Sequence, residues 1–170
     1  MEVHGNQEIQ NLVTLIMVGQ EIREMDKSWQ PQTPLLTVDC VLFKDTSVIL
    51  IKRGFNPFIG WYALPGGFVD VGETTEDACI REVKEEIGIN IDKTKLSLVG
   101  VYSDPQRDPR HHTVSVVYVT CYNDESLKHG SDAASVELIK NWQSVKLAFD
   151  HYNILQDAWG VHKSINSNSS

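Results

Sequence analysis

Glu82, Glu85 and Glu86 are the residues of this chain whose types and spacing point most directly to chemistry. At about 100° of turn per residue they fall within one arc of a helix. Carboxylates crowded in this way repel, and each i,i+4 pair weakens a helix by a few tenths of a kcal/mol. Arg81 offsets part of that repulsion, since Glu85 lies one helical turn on. A divalent ion would offset far more. Magnesium and manganese take oxygen ligands, and magnesium commonly sits on one or two carboxylates together with substrate phosphates. The competing reading is a solvated acidic face. The lead-in Pro65-Gly66-Gly67 weighs against it, because glycine lets backbone approach closely and can aim the Gly66 carbonyl at an ion.

The helix that must carry these acids starts at Thr74 or Thr75. Either can cap it, and Asp77 stands where a capping box with Thr74 needs it. Gly88 is the natural stop, because helices often end on a residue with positive φ. Cys79, Ile80, Val83 and Ile87 fill the arc that would face a core, while Ala78 lands among the acids. Upstream, Leu35–Phe43 and Ser47–Lys52 are rich in Leu, Val and Ile and read as strands joined by a hairpin at Lys44-Asp45-Thr46. Trp61–Leu64 reads as a short strand, and Leu96–Tyr102 and Thr113–Tyr122 as long ones. Asn123–Ser131 is a polar loop. Phe149–Trp159 reads as a closing helix with Tyr152, Ile154, Leu155 and Trp159 inward. Strands, a central helix, further strands and a final helix predict a mixed sheet between helices.

At 170 residues the chain suits one domain with little left over. Its net charge of −8 argues against a nucleic-acid partner, which usually demands a basic face. Cys40, Cys79 and Cys121 stand far apart and read as core or near-core thiols in a reducing compartment. The start is not a basic leader, and the apolar run Leu12–Val18 is too short to span a bilayer, so a cytoplasmic protein with no membrane partner is expected. Residues 1–34 read as an N-terminal extension. Its apolar run can be a strand, a short helix or a dimer arm, and Trp29–Pro34 breaks regular structure as a linker. Residues 161–170 carry no core pattern and are expected to be a mobile tail.

The stretch Gly67–Ile89 resembles, at every fixed position, the box of the Nudix hydrolases, G-x5-E-x7-R-E-U-x-E-E-x-G-U, with the bulky aliphatic U positions filled by Val83 and Ile89. The resemblance implies an α/β fold, a Nudix-type α/β/α sandwich with a mixed central sheet, over residues 35–160. It implies hydrolysis of a nucleoside diphosphate linked to another group, with Mg²⁺ or Mn²⁺ held by Glu82, Glu85, Glu86 and the Gly66 carbonyl. Arg81, with Glu73, would orient the carboxylates. Glu85, or an acid of residues 124–137, would take the proton from the attacking water.

A second resemblance narrows the substrate. Ser103-Asp104-Pro105-Gln106-Arg107-Asp108-Pro109-Arg110, with its proline about sixteen residues beyond the box, is similar to the microbial ADP-ribose pyrophosphatases. That implies ADP-ribose cut to AMP and ribose 5-phosphate, with Asp104, Pro105, Arg107 and Arg110 as substrate contacts. On the residues alone, Pro105 and Pro109 stiffen the loop, and Arg107 and Arg110 present forks suited to phosphate or ribose. A rigid surface loop held by Asp–Arg pairs fits them equally. The segment Arg53–Gly67 also resembles the family, with Arg53 as a diphosphate contact and one of Phe55, Phe58 and Trp61 as a base-stacking platform. Departures are His111, where a glycine is usual, and Ser135 and Leu138, where glutamate and tryptophan are common; Asp132 and Glu137 are the acids nearby. The alternatives are a Nudix pyrophosphatase of modified dNTPs or NADH, and a non-catalytic ADP-ribose sensor. Sensors of that kind carry a winged helix, for which about twenty residues after Asp150 leave no room. The resemblance also implies a homodimer, with residues 1–34 as the exchange arm.

Overall fold

The computed structural model describes residues 32–122 and 135–167. The expected arm before residue 32, the loop Asn123–Ser131, Asp132 and the last residues 168–170 lie outside them. Within the unit Pro34–Ser170, β1 (Leu35–Lys44) and β2 (Ser47–Lys52) form the expected hairpin, turned by Asp45 at φ 54°. Along β1, Val38, Cys40 and Leu42 face one side and Val41 and Phe43 the other, so both faces of the strand are covered. β6 (Thr113–Cys121) runs parallel to β1, from Leu35 beside Thr113 to Phe43 beside Cys121. β5 (Ser97–Tyr102) lies antiparallel outside it.

The site depends on what happens past the hairpin. β1 and β2 pair only through Phe43–Val48 and Lys44–Ser47, then take other partners. The chain between Tyr62 and Phe68 fills the gap. β3 (Tyr62–Ala63) pairs with β2, and β4 (Gly66–Phe68) pairs with β1 from Thr37 to Asp39. β7 (Ser135–Ile139) borders the other side of β2. β4 and β7 are strands that the sequence pattern does not mark. The glycines of Gly-Gly-Phe carry little strand propensity of their own; an unsatisfied stretch of β1 supplies their partners.

Helix α1 (Thr75–Ile87) packs Ala78, Cys79, Val83 and Ile87 on one face of this mixed sheet, and helix α2 (His151–Ser167) packs Ile154, Leu155 and Ala158 on the other. That is the expected α/β/α arrangement. Ala78 belongs to the core face, not among the acids, and Ile80 is only half-buried. α2 runs past the expected end at Trp159. Val161 and Ile165 continue its apolar stripe, and buried His162 stacks on Trp159 and lies against Phe43. The stretch 161–167, expected as a mobile tail, is therefore helical. Cys40 and Cys79 are buried as expected, and the Cys79 hydrogen bond and burial push the Cys40 thiol well up, which keeps it unreactive. Cys121 is exposed, against expectation. No helix among the described residues is long and apolar enough to cross a membrane.

Thr74 is the cap of α1, accepting from the Asp77 N–H at 3.2 Å, while Thr75 instead bonds the Tyr118 hydroxyl at 2.7 Å. The helix stops at Gly88, whose φ of 79° favours glycine and whose N–H reaches the Lys84 carbonyl. Gly88→Ala is expected to lower stability by about 1 kcal/mol, seen as a lower urea midpoint at unchanged slope.

Candidate active site

The filled gap in the sheet delivers the glycine backbone to helix α1. Cys40 donates its N–H to the Pro65 carbonyl at 2.9 Å, and Val69 donates to Leu36 at 3.1 Å, so β1 grips the segment at both ends. Between them, the Gly66 N–H donates to Glu86 Oε2 at 3.0 Å. A Cβ at Gly66 would run into the Val38 carbonyl oxygen, and one at Gly67 into the Glu82 carboxylate. At Gly66 glycine is needed for close approach, because the obstacle is the fixed backbone of β1.

Arg81 ties the same region together from the other side. Its Nε and Nη2 hold both oxygens of Glu73, at 2.9 and 3.0 Å, and Nη2 also donates to the Phe68 carbonyl at 2.9 Å. Nη1 reaches Glu82 Oε1 at 2.8 Å and Glu85 Oε2 at 3.5 Å. The Arg81 hydrogen bond holds the Glu73 carboxyl below its usual range. Thus Arg81 and Glu73 clamp the loop Phe68–Glu73 to the helix.

The acids are not equivalent. Burial pushes the Glu86 carboxyl up to about 8, against the single Gly66 N–H that favours its charge, with Glu82 and Asp39 adding repulsion. Burial also raises Glu82, and Arg81 opposes this. The Glu85 side chain is 59% exposed. Among the described residues no three acidic, histidine or cysteine side chains converge to the spacing of a formed metal centre. The donor chemistry nonetheless fits a hard divalent cation: all-oxygen, carboxylate-rich, with a buried carboxylate lacking a guanidinium of its own. Glu86 accepts the Gly66 N–H and the Glu82 carboxylate lies against Gly67, so both acids border the glycine backbone, with Glu85 at the solvent side.

Glu86 opens into a cavity of about 210 Å³ whose other walls carry Arg53, Arg110, Asp39, His151 and Phe149. Arg53 donates Nε to the Pro57 carbonyl at 2.8 Å, and its guanidinium lies 4.8 Å from the centre of the Phe149 ring. Arg110 approaches the same ring at 5.5 Å while gripping Asp108 with Nε and Nη2 at 3.0 and 2.7 Å. Burial and the neighbouring Arg110 charge lower the Arg53 pKa, with Asp108 and Glu86 opposing. Arg107 differs from both. Its side chain is 6% exposed, and its fork is committed to Asp150 at 2.9 and 2.7 Å, with Thr113 at 3.3 Å and Asp39 at 3.6 Å. It braces the site from within. Asp104 stands apart in the exposed loop, accepting the Gln106 N–H at 2.7 Å, and Pro105 lines neither this cavity nor the next.

Sequence reasoning missed Asp39, Phe149 and His151. Asp39 accepts the Ser115 hydroxyl at 2.5 Å beneath the cavity. Its signal was visible: one acid inside an otherwise apolar strand. Phe149 has φ 54°, rare for a bulky residue, and turns the chain from its pairing with Tyr62 into α2. His151 accepts the Leu64 N–H on Nδ1 at 2.9 Å, so its proton sits on Nε2, facing Asp39 at 3.6 Å. Burial lowers its pKa, with Asp39 opposing. A histidine held neutral in the fold contributes stability above its unfolded pKa of about 6.5, lost as pH falls through that value toward the folded one. His151→Gln is expected to flatten the fall in unfolding free energy below about pH 6.5, measured by urea titration at stepped pH.

Of the aromatics proposed as platforms, Phe58 packs against Trp61 and Phe149, at 5.2 and 5.0 Å between ring centres, while Phe55 is 76% exposed. Glu137 is no neighbour of the acids. It pairs with Leu50, which belongs to the core beneath α2, and it accepts the Tyr62 hydroxyl at 2.7 Å.

Comparison with known proteins matches this architecture. The model of the NUDIX domain fits residues 33–163. The ADP-ribose pyrophosphatase of Methanocaldococcus jannaschii is 50% identical over 124 residues, covering 73% of this chain and 72% of that protein. Among solved structures, the NUDIX domain of Shewanella oneidensis NrtR complexed with ADP ribose superposes with a TM-score of 0.71 at 27% identity, over 81% of this chain and 96% of that one. A bifunctional NMN adenylyltransferase/ADP ribose pyrophosphatase from Francisella tularensis, complexed with AMP and Mn ion, gives 0.66 at 28%, over 86% of this chain and 47% of that one. With its glycine segment, its Arg81–Glu73 clamp and its acid-bearing helix in one place, the chain belongs to the Nudix family.

Proposed function

We propose that this protein hydrolyses ADP-ribose to AMP and ribose 5-phosphate with Mg²⁺ or Mn²⁺. The observation that carries the reading is the shared cavity, which Glu86, the glycine backbone, Arg53 and Arg110 line together. The relative named for this activity adds support at 50% identity. Glu82, Glu85, Glu86 and the Gly66 carbonyl hold the cation, which supplies charge neutralisation on the diphosphate and a more acidic water. Arg53 and Arg110 grip the diphosphate oxygens within the same cavity, and this positioning lowers the barrier without covalent chemistry. Arg81 and Glu73 keep the helix carboxylates in place. Glu85, the solvent-facing acid, takes the proton from water as its oxygen bonds to phosphorus and the bridging P–O bond breaks. Asp104 contacts the remainder of the substrate.

Pure protein incubated with ADP-ribose and Mg²⁺ is expected to release AMP, read by chromatography, and EDTA is expected to abolish it. A panel holding modified dNTPs and NADH ranks the alternatives; no AMP from ADP-ribose sinks the assignment. Binding without release in the presence of metal would make the protein a sensor. The reading also includes a homodimer in the cytoplasm, with residues 1–34 as the exchange arm, tested by the solution mass of a chain lacking residues 1–33.

A further inference from the structure

Two phenylalanines among the described residues hold left-handed backbone, Phe58 at φ 64° and Phe149 at φ 54°, and their rings meet edge-on at 5.0 Å between centres. Glycine adopts that conformation freely and a bulky residue does not, so each persists only because its surroundings over-determine it. Such positions gather at binding sites. Phe149 is half-buried and lines both the cavity of Glu86, Arg53 and Arg110 and a neighbouring one of about 540 Å³, so its ring is a wall of the site. Two cations lie over that ring, with the guanidinium carbons of Arg53 and Arg110 at 4.8 and 5.5 Å from its centre. We propose that Phe149 is a positioning residue, whose ring holds Arg53 and Arg110 together at the cavity so that both guanidiniums meet one diphosphate. This rests on the proposed function above.

Like charges gathered at one cavity repel, and the Arg110 charge is one cause of the lowered Arg53 pKa. The hydrogen bonds of these arginines do not join them. Arg53 gives Nε to the neutral Pro57 carbonyl at 2.8 Å, one residue before Phe58. Arg110 grips Asp108 through Nε and Nη2. Each fork is thus fixed by its own edge, and Phe149 is what both approach. A carboxylate in place of the ring could also bridge them. Yet Asp39, Glu86 and Asp108 already line the cavity, and one more negative charge would repel the diphosphate. An aromatic face attracts a cation within about 6 Å of its centre and carries no net charge. The ring therefore collects the guanidiniums and leaves their charge for the ligand. Phe58 and His151, at 5.0 and 5.3 Å between ring centres, pack against it and keep it from turning away.

Replacing Phe149 in the full chain with mono-, di- and trifluorophenylalanine tests this. Each added fluorine drains negative charge from the ring face and leaves its shape nearly unchanged, so packing alone would not register the series. The KM for ADP-ribose is expected to rise stepwise, reaching about tenfold with the trifluoro ring, because two cation–ring contacts weaken together. The kcat stays within about threefold, as for binding shared by ground and transition states. Phe149→Leu, which removes the π face, should match or exceed the trifluoro ring, and Phe149→Tyr should restore most of the affinity. The dissociation constant of ADP, read by calorimetry with Mg²⁺, is expected to follow the same series. A KM and an ADP affinity that stay flat, or tighten, as fluorines are added overturn the proposal. Wild-type protein that binds ADP but releases no AMP from ADP-ribose would defeat the hydrolase reading alone, because the ADP series still reads the role of the ring; wild-type protein that does not bind ADP defeats both.

Discussion

Replacing Glu86 with glutamine is expected to lower AMP release from ADP-ribose by about 10²–10³-fold while leaving the metal-free protein at least as stable as the parent. Glutamine keeps the shape and still accepts the Gly66 N–H that Glu86 Oε2 accepts at 3.0 Å. What it removes is charge. In the metal-free fold that charge is a burden, since burial, Glu82 and Asp39 together push the carboxyl up to about 8. At pH 7 a neutral amide therefore relieves a desolvated acid, and stability is expected to hold or rise. With a divalent cation the balance reverses, because the buried carboxylate is the strongest oxygen donor beside the glycine backbone. Thermal unfolding in EDTA and in Mg²⁺, set beside steady-state AMP release, checks both halves. Mg²⁺ should raise the parent's melting temperature and leave the variant's nearly unmoved. A variant that keeps its activity would remove Glu86 from the reaction.

Arg107→Ala is expected to cost about 3–5 kcal/mol of folding free energy, read from urea unfolding. Sequence presents Arg107 as a substrate contact, yet its side chain is 6% exposed and its fork serves Asp150, Thr113 and Asp39. Deleting it strands those carboxylates beside a half-buried cavity, which is far worse than losing an exposed ion pair. Arg107→Lys keeps the charge but cannot hold both Asp150 oxygens in the plane of one fork, and should recover only part of the loss. If Arg107→Ala instead kept its stability and lost only ADP-ribose affinity, the arginine would be a substrate contact after all.

The acid helix was legible because its period, its threonine cap and its glycine stop agree over a short window. β1, β2, β5 and β6 were legible from apolar content. The remainder was set by partners far along the chain. Gly66–Phe68 becomes a strand only because β1 and β2 part company and leave hydrogen-bonding groups to satisfy. His151 matters because it meets the Leu64 amide, 87 positions away in sequence. Asp39 matters because Ser115, Arg107 and His151 all converge on it. Spacing shows that Arg107 and Arg110 share a loop; it cannot show that one fork turns inward to Asp150 while the other lies over Phe149.

Leu64–Gly66 is tethered at one end to His151, the first residue of α2, and at the other to Glu86 on α1. These helices lie on opposite sides of the sheet, so a span of three residues bolts the sandwich through its middle. The thickness of the domain is thereby written into the position of the Glu86 carboxylate.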